Sequence, residues 1–103
     1  MALPTLTPEQ RTDALAKAAA ARARRAEVKA ALKGGSMRLS AFLEQADQEE
    51  VLGKMKALAL LQSLPRVGAT TARTIMEEVG ISESRRVRGL GAHQRAELVR
   101  RFG

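Results

Sequence analysis

The sequence predicts an all-α fold, in which a long N-terminal helix precedes a compact bundle of about four helices. Apolar residues recur at helical spacing in several segments, and capping residues, Pro or Gly mark the ends of these segments. No segment shows the sustained polar/apolar alternation of a strand. The 103 residues suffice for one small domain with an arm. We therefore divide the chain into an extended basic helix, residues 1–35, and a helical domain, residues 36–103.

The first helix has clear start and stop signals. Thr7, Pro8 and Gln10 supply a cap, a proline at the first helical position and a glutamine three residues after the cap. Gly34 and Gly35 end the helix about 25 residues later, at a length of roughly 40 Å. Because its interior is rich in alanine, we expect it to project from the core along much of its length.

Basic residues gather on one face of this helix. Steps of about 100° per residue place them in a narrow stripe of Arg11, Arg22, Arg25, Lys29 and Lys33. Bases late in a helix complement its dipole, but that does not explain the aligned mid-helix arginines. The stripe predicts a secondary phosphate-binding face made by Arg22, Arg25, Lys29 and Lys33.

The bundle is predicted from four shorter helical segments. Leu39, Phe42 and Leu43 fit the first, and the second runs from a cap at Asp47 to residues 64–65. The third covers residues 72–79 and stops at Gly80, and the fourth covers residues 96–102. The acidic cluster of Glu44, Asp47, Glu49 and Glu50 is interpreted as structural, because acids favour a helix start. The predicted core consists of apolar residues from these segments: Phe42, Leu52, Met55, Leu58, Ile75, Met76, Val79, Leu98 and Phe102.

Residues 64–73 form a Pro/Gly hairpin that opens directly into a helix. Pro65 ends the preceding helix, and Gly68 permits a sharp turn without a Cβ in the way. The amides after Gly68 would then lie unpaired at the positive end of a helix dipole. Thr70 and Thr71 add hydroxyl groups, so the segment predicts a phosphate site. A plain helix–helix turn has the same Pro/Gly spacing and remains an alternative.

An arginine cluster follows in residues 84–91, SRRVRGLG. Gly89 and Gly91 disfavour regular helix, so Arg85, Arg86 and Arg88 are predicted to lie on a turn. A charge cluster on a turn is more often functional than one along a solvated helix. Together, the hairpin and the arginine cluster predict a two-part grip on a phosphate backbone.

The composition favours an anionic polymer as the partner. The formal net charge is +7, both ends of the chain are basic, and there is no cysteine. No apolar run is long enough to span a membrane and no signal peptide is evident, so we expect a soluble cytoplasmic protein. The carboxylates are not spaced as in a catalytic or metal site, and the single His has no partner with which to form one. We expect no enzyme activity, no cofactor and no metal.

Three stretches carry a family resemblance: residues 52–56, LGKMK; residues 60–68, LLQSLPRVG; and residues 75–91, IMEEVGISESRRVRGLG. They resemble the actinobacterial type of integration host factor, and the likeness extends to the basic N-terminal helix. That family is similar to the helix–two-turns–helix domain of a ribosomal small-subunit protein and of some DNA glycosylases. The resemblance implies that residues 36–103 are a DNA-binding domain of this kind.

The resemblance also implies a function and a set of contacts. It implies a monomeric, non-enzymatic nucleoid protein that binds duplex DNA with little sequence preference and bends or restrains it. Phage integration, DNA compaction and transcriptional regulation would depend on this binding. The implied hairpin contacts are Val67, Gly68, Thr70 and Arg73, and those of the arginine cluster are Arg85, Arg86 and Arg88. The full predicted site adds neighbouring residues of the two segments: Arg66, Thr71, Gly89 and Gly91.

One hairpin position departs from the family pattern. Such hairpins commonly read Pro-Gly-Val-Gly, whereas Arg66 replaces the first glycine here. A left-handed backbone at Arg66 would carry strain or be absent. Arg66 can instead add a phosphate contact.

Duplex DNA is favoured over other partners, but two alternatives stay open. The chain has no Tyr or Trp, and Phe42 and Phe102 are expected in the core, so no platform exists for stacking single-stranded bases. Two separated basic surfaces could hold two duplexes or both flanks of one bend. A ribosome- or RNA-associated protein would use the same phosphate chemistry. A protein-interaction module would instead dock its Ala-rich helix on a partner.

Overall fold

The computed structural model describes residues 7–103, and these residues form six α-helices and one short 3-10 helix. The α-helices are α1 (Pro8–Lys33), α2 (Leu39–Gln48), α3 (Glu50–Gly53), α4 (Ala57–Gln62), α5 (Ala69–Val79) and α6 (Ala92–Phe102). The 3-10 helix, Val87–Gly89, lies between α5 and α6. The predicted all-α class is confirmed. Within this part of the chain no helix is both long and apolar enough to cross a membrane.

Helix α1 begins and ends at the predicted signals. The Gln10 amide donates to Thr7 Oγ1 at 3.1 Å, and the Thr7 amide donates to Gln10 Oε1 at 3.0 Å, which completes a capping box. Leu15 is 65% exposed, whereas Val28 and Leu32 are buried in the main core. The N-terminal half of α1 therefore projects and its last turns belong to the bundle. The division at residue 35 stays a prediction.

The predicted helix from Asp47 to residue 64 is wrong, because the chain there forms α3 and α4 with an extended connection between them. Lys56 pairs with Arg86 in an isolated antiparallel bridge. The Val87 amide donates to the Met55 carbonyl at 2.8 Å, and the Ala57 amide donates to the Arg85 carbonyl at 2.9 Å. These long-range hydrogen bonds, together with the burial of Met55, override the local helical spacing. The bundle consequently has five α-helices.

Asp47 was predicted to cap a helix, and this prediction is wrong. It lies in the last turn of α2 and forms a bidentate ion pair with Arg95 of α6, at 2.8 and 2.9 Å. Hydrogen bonding from the Arg95 guanidinium lowers the pKa of Asp47. In the same cluster, Glu50 pairs with Lys54 at 2.9 Å. The structural interpretation therefore holds for Asp47 and Glu50, which act through ion pairs rather than through a cap, whereas Glu44 makes no ion pair within residues 7–103.

One hydrophobic core joins all the elements. Most of the predicted core residues are buried, and Leu58 and Val79 are partly buried against them. The placement of Phe102 in the core is wrong: it is the last residue of α6 and is 36% exposed. The sequence reasoning missed buried residues from α1, α4 and the arginine segment: Val28, Leu32, Leu60, Leu61, Val87 and Leu90.

The end of α5 determines where the chain that leads to the arginine cluster starts. Gly80 has a φ of 81°, a left-handed conformation that suits glycine, and it ends the helix as predicted. The Gly80 carbonyl accepts from Gln94 Nε2 of α6 at 2.9 Å. The segment between α5 and α6 is therefore held at both of its ends.

Candidate nucleic-acid interface

The hairpin before α5 turns at Arg66 rather than at Gly68. Arg66 has a φ of 65°, and the Val67 amide donates to the Leu64 carbonyl at 3.3 Å, so residues 64–67 form a tight turn. With Pro65 in second place, Arg66 occupies the third position, where a positive φ normally selects glycine. Gly68 is extended, with φ −90° and ψ −176°, and a Cβ there would meet open space. The sharp turn assigned to Gly68 is therefore wrong, and the left-handed residue is Arg66.

Unpaired amides at the start of α5 form the hairpin seat, which we define as the backbone N–H groups of Ala69, Thr70 and Thr71. No side chain caps this helix, and these amides have no partner within residues 7–103. Thr70 and Thr71 are exposed beside them. Uncapped amides and the helix dipole make this end of α5 favourable for an anion.

Val67 is unsuited to a direct side-chain contact with a phosphate. Its side chain is only 6% exposed, and its amide is used within the turn. Its role in the site is to anchor the turn to the core. Arg73, one helical turn into α5, is exposed, and its Nε lies 3.2 Å from Glu83 Oε1. That ion pair connects α5 with the segment that leads to the arginines.

The arginines lie on a turn, as predicted, and two glycines shape it. Arg85 Nη1 donates to the Gly89 carbonyl at 2.9 Å, and a Cβ on Gly89 would lie 3.0 Å from Arg85 Cδ. Gly89 thus leaves room for the Arg85 side chain. Gly91 caps α6, and its amide donates to Gln94 Oε1 at 2.9 Å. Both glycines act on the conformation of this arginine turn, residues 84–88.

Neighbouring arginines of the turn point in different directions. Arg86 is extended, with φ −99° and ψ 160°, and successive side chains of an extended chain alternate sides. Arg86 pairs directly with Lys56 in the bridge, so these two side chains share one face. Arg86 Nη1 donates to the Lys54 carbonyl at 2.6 Å. Like charges held opposite each other are unfavourable, and an anion between them would relieve the repulsion.

Arg86 lines a basic groove with a volume of about 430 Å³. We define this basic groove by its lining side chains, which are Arg25, Lys29, Lys54, Met55, Lys56, Ala59 and Arg86. Five of them are cationic, and among the described residues no acid lines the groove. Lys54 and Lys56 were missed in the sequence analysis. Their signal was the Lys-Met-Lys alternation, in which the apolar residue is buried and both lysines are exposed.

The α1 stripe and the arginine turn, predicted as separate surfaces, meet in this groove. Arg25 and Lys29 lie on one wall and Arg86 lies on another. Arg22 and Lys33 are exposed but do not line the groove. Lys33 Nζ lies 3.5 Å from the Gln62 carbonyl, just before the hairpin. The stripe therefore extends from the groove toward the hairpin.

An ion-pair network, also missed in the sequence analysis, positions α1 over the groove. Arg24 Nε and Nη2 donate to the two carboxylate oxygens of Glu49 at 2.9 and 2.8 Å, and Nη2 also donates to Gln45 Oε1 at 2.9 Å. Hydrogen bonding to this guanidinium lowers the pKa of Glu49. The Arg24–Glu49 pair ties α1 to the chain between α2 and α3. Because Arg24 directly precedes Arg25 in the sequence, this pair also fixes the rotation of α1 about its axis, and with it the direction in which the basic stripe faces.

The all-helical fold, the hairpin seat and the adjacent arginine turn define a protein of the helix–two-turns–helix class. A family model described as an S13-like H2TH domain matches residues 32–102. The integration host factor of Streptomyces coelicolor is 60% identical, over 100% of this chain and 96% of that protein. The integration host factor of Mycobacterium tuberculosis is 55% identical, over 100% and 98% respectively. The chain belongs to the actinobacterial integration host factor family, which confirms the resemblance.

A solved structure of the same kind is similar in three dimensions. It is described as "Structure of sIHF bound to an 8bp palindromic DNA" and is 57% identical to this chain, with a TM-score of 0.82. The match covers 84% of this chain and 98% of that chain. The similarity therefore includes the helical domain and part of α1.

Proposed function

We propose that this protein binds double-stranded DNA through the phosphate backbone, with little preference for sequence, and shapes DNA in the nucleoid of the cytoplasm. The observation that carries the proposal is the chemistry of the basic surface. The hairpin seat offers backbone amides, and the arginine turn and basic groove offer cations, all of which contact phosphates without reading sequence. The chain has no Tyr or Trp and Phe42 is buried, which leaves only Phe102, 36% exposed, so there is no platform of several aromatic side chains on which bases could stack. The similar protein solved with DNA supports the duplex as partner.

The proposed contacts fall into three groups. The amides of the hairpin seat hold one phosphate group, with Gly68 giving close approach and Thr70, Thr71 and Arg73 adjacent. Arg85 and Arg88 extend the contact along the backbone, and Gly89 and Gly91 hold the turn. Arg86 belongs with Arg25 and Lys29 in the basic groove, flanked along α1 by Arg22 and Lys33.

The divergence of Arg85 and Arg86 bears on the shape of the bound DNA. Because the two side chains leave opposite sides of the turn, engaging both faces requires a bent duplex or two duplexes. We propose that one monomer restrains the DNA in this way. Restraint of DNA would support the roles implied by the family resemblance, namely phage integration, compaction and transcriptional regulation.

The testing experiment is a titration of the full chain against a fluorescent random-sequence duplex at several salt concentrations. Neutralising about six phosphates predicts that log affinity falls with log salt at a slope of roughly five. Unlabelled duplex, single strand and structured RNA serve as competitors, and duplex of any sequence is expected to compete best. A slope near one would contradict the proposed footprint.

The same competition tests the alternatives. Stronger competition by structured RNA would favour an RNA-associated function, an alternative that is consistent with the match to an S13-like H2TH domain. Absence of binding to every nucleic acid would favour a protein partner for the exposed half of α1.

A further inference from the structure

Arg66 adopts a backbone conformation that is unfavourable for arginine. Within residues 7–103 it is the only residue other than glycine with a positive φ, at 65°. A side chain with a Cβ is disfavoured in this region, and the third position of such a turn normally takes glycine. The neighbouring residues hold the turn in place, because Leu64 is 4% exposed and Val67 is 6% exposed. The core therefore sets this conformation, and Arg66 carries the strain.

Within residues 7–103, no side-chain hydrogen bond or ion pair of Arg66 offsets the strain. The Arg66 side chain is exposed, and it makes no hydrogen bond or ion pair with the part of the chain that the structure describes. Other arginines near the site are partly engaged: Arg73 pairs with Glu83, and Arg85 donates to the Gly89 carbonyl. Like that of Arg88, the Arg66 guanidinium makes no hydrogen bond or ion pair within residues 7–103, so its donors are available for an external partner.

We propose that Arg66 contacts DNA phosphate and that its side chain raises affinity for DNA while its backbone lowers the stability of the fold. This inference rests on the proposed function. Arg66 lies three residues before Ala69, where the hairpin seat begins. A guanidinium at this place would reach a phosphate next to the one held by the amides, because its long side chain extends beyond the turn. A residue strained in the free protein and used only in the complex fits the placement of backbone strain at binding sites.

The proposal predicts two effects of opposite sign from one substitution. Arg66→Gly removes both the strain and the charge, so the melting temperature is expected to rise by roughly 5 °C. Duplex affinity is expected to fall by about threefold to tenfold, and the salt slope is expected to fall by about one. Arg66→Asn tolerates the left-handed backbone without a charge and should reproduce both effects. Arg66→Lys keeps the charge and should keep the salt slope.

Lys17→Asn is the matched control, since Lys17 is exposed on the N-terminal half of α1, outside the proposed contacts. It removes the same charge and is expected to change affinity by less than about twofold. The proposal is overturned if Arg66→Gly stabilises the fold but leaves affinity and salt slope at the values of the unsubstituted protein. It is also overturned if Arg66→Gly loses no more affinity than Lys17→Asn, or if the fold is not stabilised. Failure of the unsubstituted protein to bind duplex would instead contradict the proposed function itself.

Discussion

The hairpin seat and the basic groove present phosphate-binding groups of different kinds. The seat consists of backbone amides whose directions are fixed by α5 and by the anchored turn before it. The groove consists of five long cationic side chains. Within the described residues Arg86 donates to the Lys54 carbonyl and the Lys54 side chain pairs with Glu50, while the other three side chains make no hydrogen bond or ion pair. The seat therefore depends on backbone conformation, whereas the groove depends on the amount of charge.

This difference separates two components of binding. Fixed amides lose little conformational entropy when a phosphate arrives, so one lost donor should be costly at any salt concentration. Flexible lysines and arginines contribute mainly by releasing counterions, so removing them should change the salt dependence most. Substitutions in the two regions can therefore be distinguished by affinity and by salt slope.

The largest effect is expected from removing one amide of the hairpin seat. Ala69→Pro deletes an N–H group at the first position of α5, where proline fits the helix and the amide has no intramolecular partner. We expect the melting temperature to change little and duplex affinity to fall about tenfold, because a hydrogen bond to a charged phosphate is lost. Fluorescence titration at two salt concentrations measures this loss, and the salt slope should stay near that of the unsubstituted protein.

Ala69→Ser provides the control for this prediction, because it changes the same residue and keeps the amide. It should bind duplex nearly as well as the unsubstituted protein. Equal binding by Ala69→Pro, with the fold intact, would show that the hairpin seat does not hold a phosphate and that the groove carries the affinity.

A smaller effect is expected from the groove. The double substitution Lys54→Ala with Lys56→Ala removes two cations that flank the buried Met55. We expect a loss of roughly fivefold in affinity near physiological salt and a decrease of about one in the salt slope, because Lys54 is already paired with Glu50. Relief of the repulsion between Lys56 and Arg86 should offset the loss of the exposed Lys54–Glu50 ion pair, so the stability of the free protein should change little, which thermal unfolding measures. An unchanged slope would place the groove outside the DNA footprint.

Local sequence signals predicted the parts of the molecule that depend on local interactions. The capping box at Thr7, the end of α5 at Gly80 and the turn containing Arg85 each follow from residues close in sequence. The boundary between α3 and α4 did not, because the hydrogen bonds of Met55 and Ala57 come from residues about thirty positions later. Helical spacing cannot report that competition.

The same limit applies to the candidate site. The hairpin seat was predicted because Pro65 and Gly68 precede the helix directly, although the left-handed residue proved to be Arg66. The prediction of the residues that form the basic groove was incomplete, because Arg25 and Lys56 come together only through tertiary packing. Arg24 was overlooked as well, since its partner Glu49 is 25 residues away. Charge counted along the sequence indicates a partner class, and the fold decides which charges act together.

The smallest effect is expected from a substitution that tests whether the groove needs α1 to be fixed in place. Whether duplex affinity rises or falls distinguishes the two possibilities. Glu49→Ala removes a negative charge from a DNA-binding protein, so simple electrostatics predicts tighter binding. Glu49 also accepts two of the three hydrogen bonds from Arg24 that tie α1 to the domain, and Gln45 accepts the third. If that tie positions Arg25 and Lys29, Glu49→Ala should instead weaken duplex binding by about twofold, because the stripe loses its fixed direction.

Glu44→Ala separates these two effects. Glu44 is exposed in the same acidic cluster, and no ion pair involves it within residues 7–103. Its removal changes charge alone and should tighten binding slightly. Opposite changes for Glu49→Ala and Glu44→Ala would mean that the groove also depends on fixed geometry, which narrows its difference from the hairpin seat. Equal tightening by both would mean that the groove acts as a flexible array of charges and that the contrast with the seat is complete.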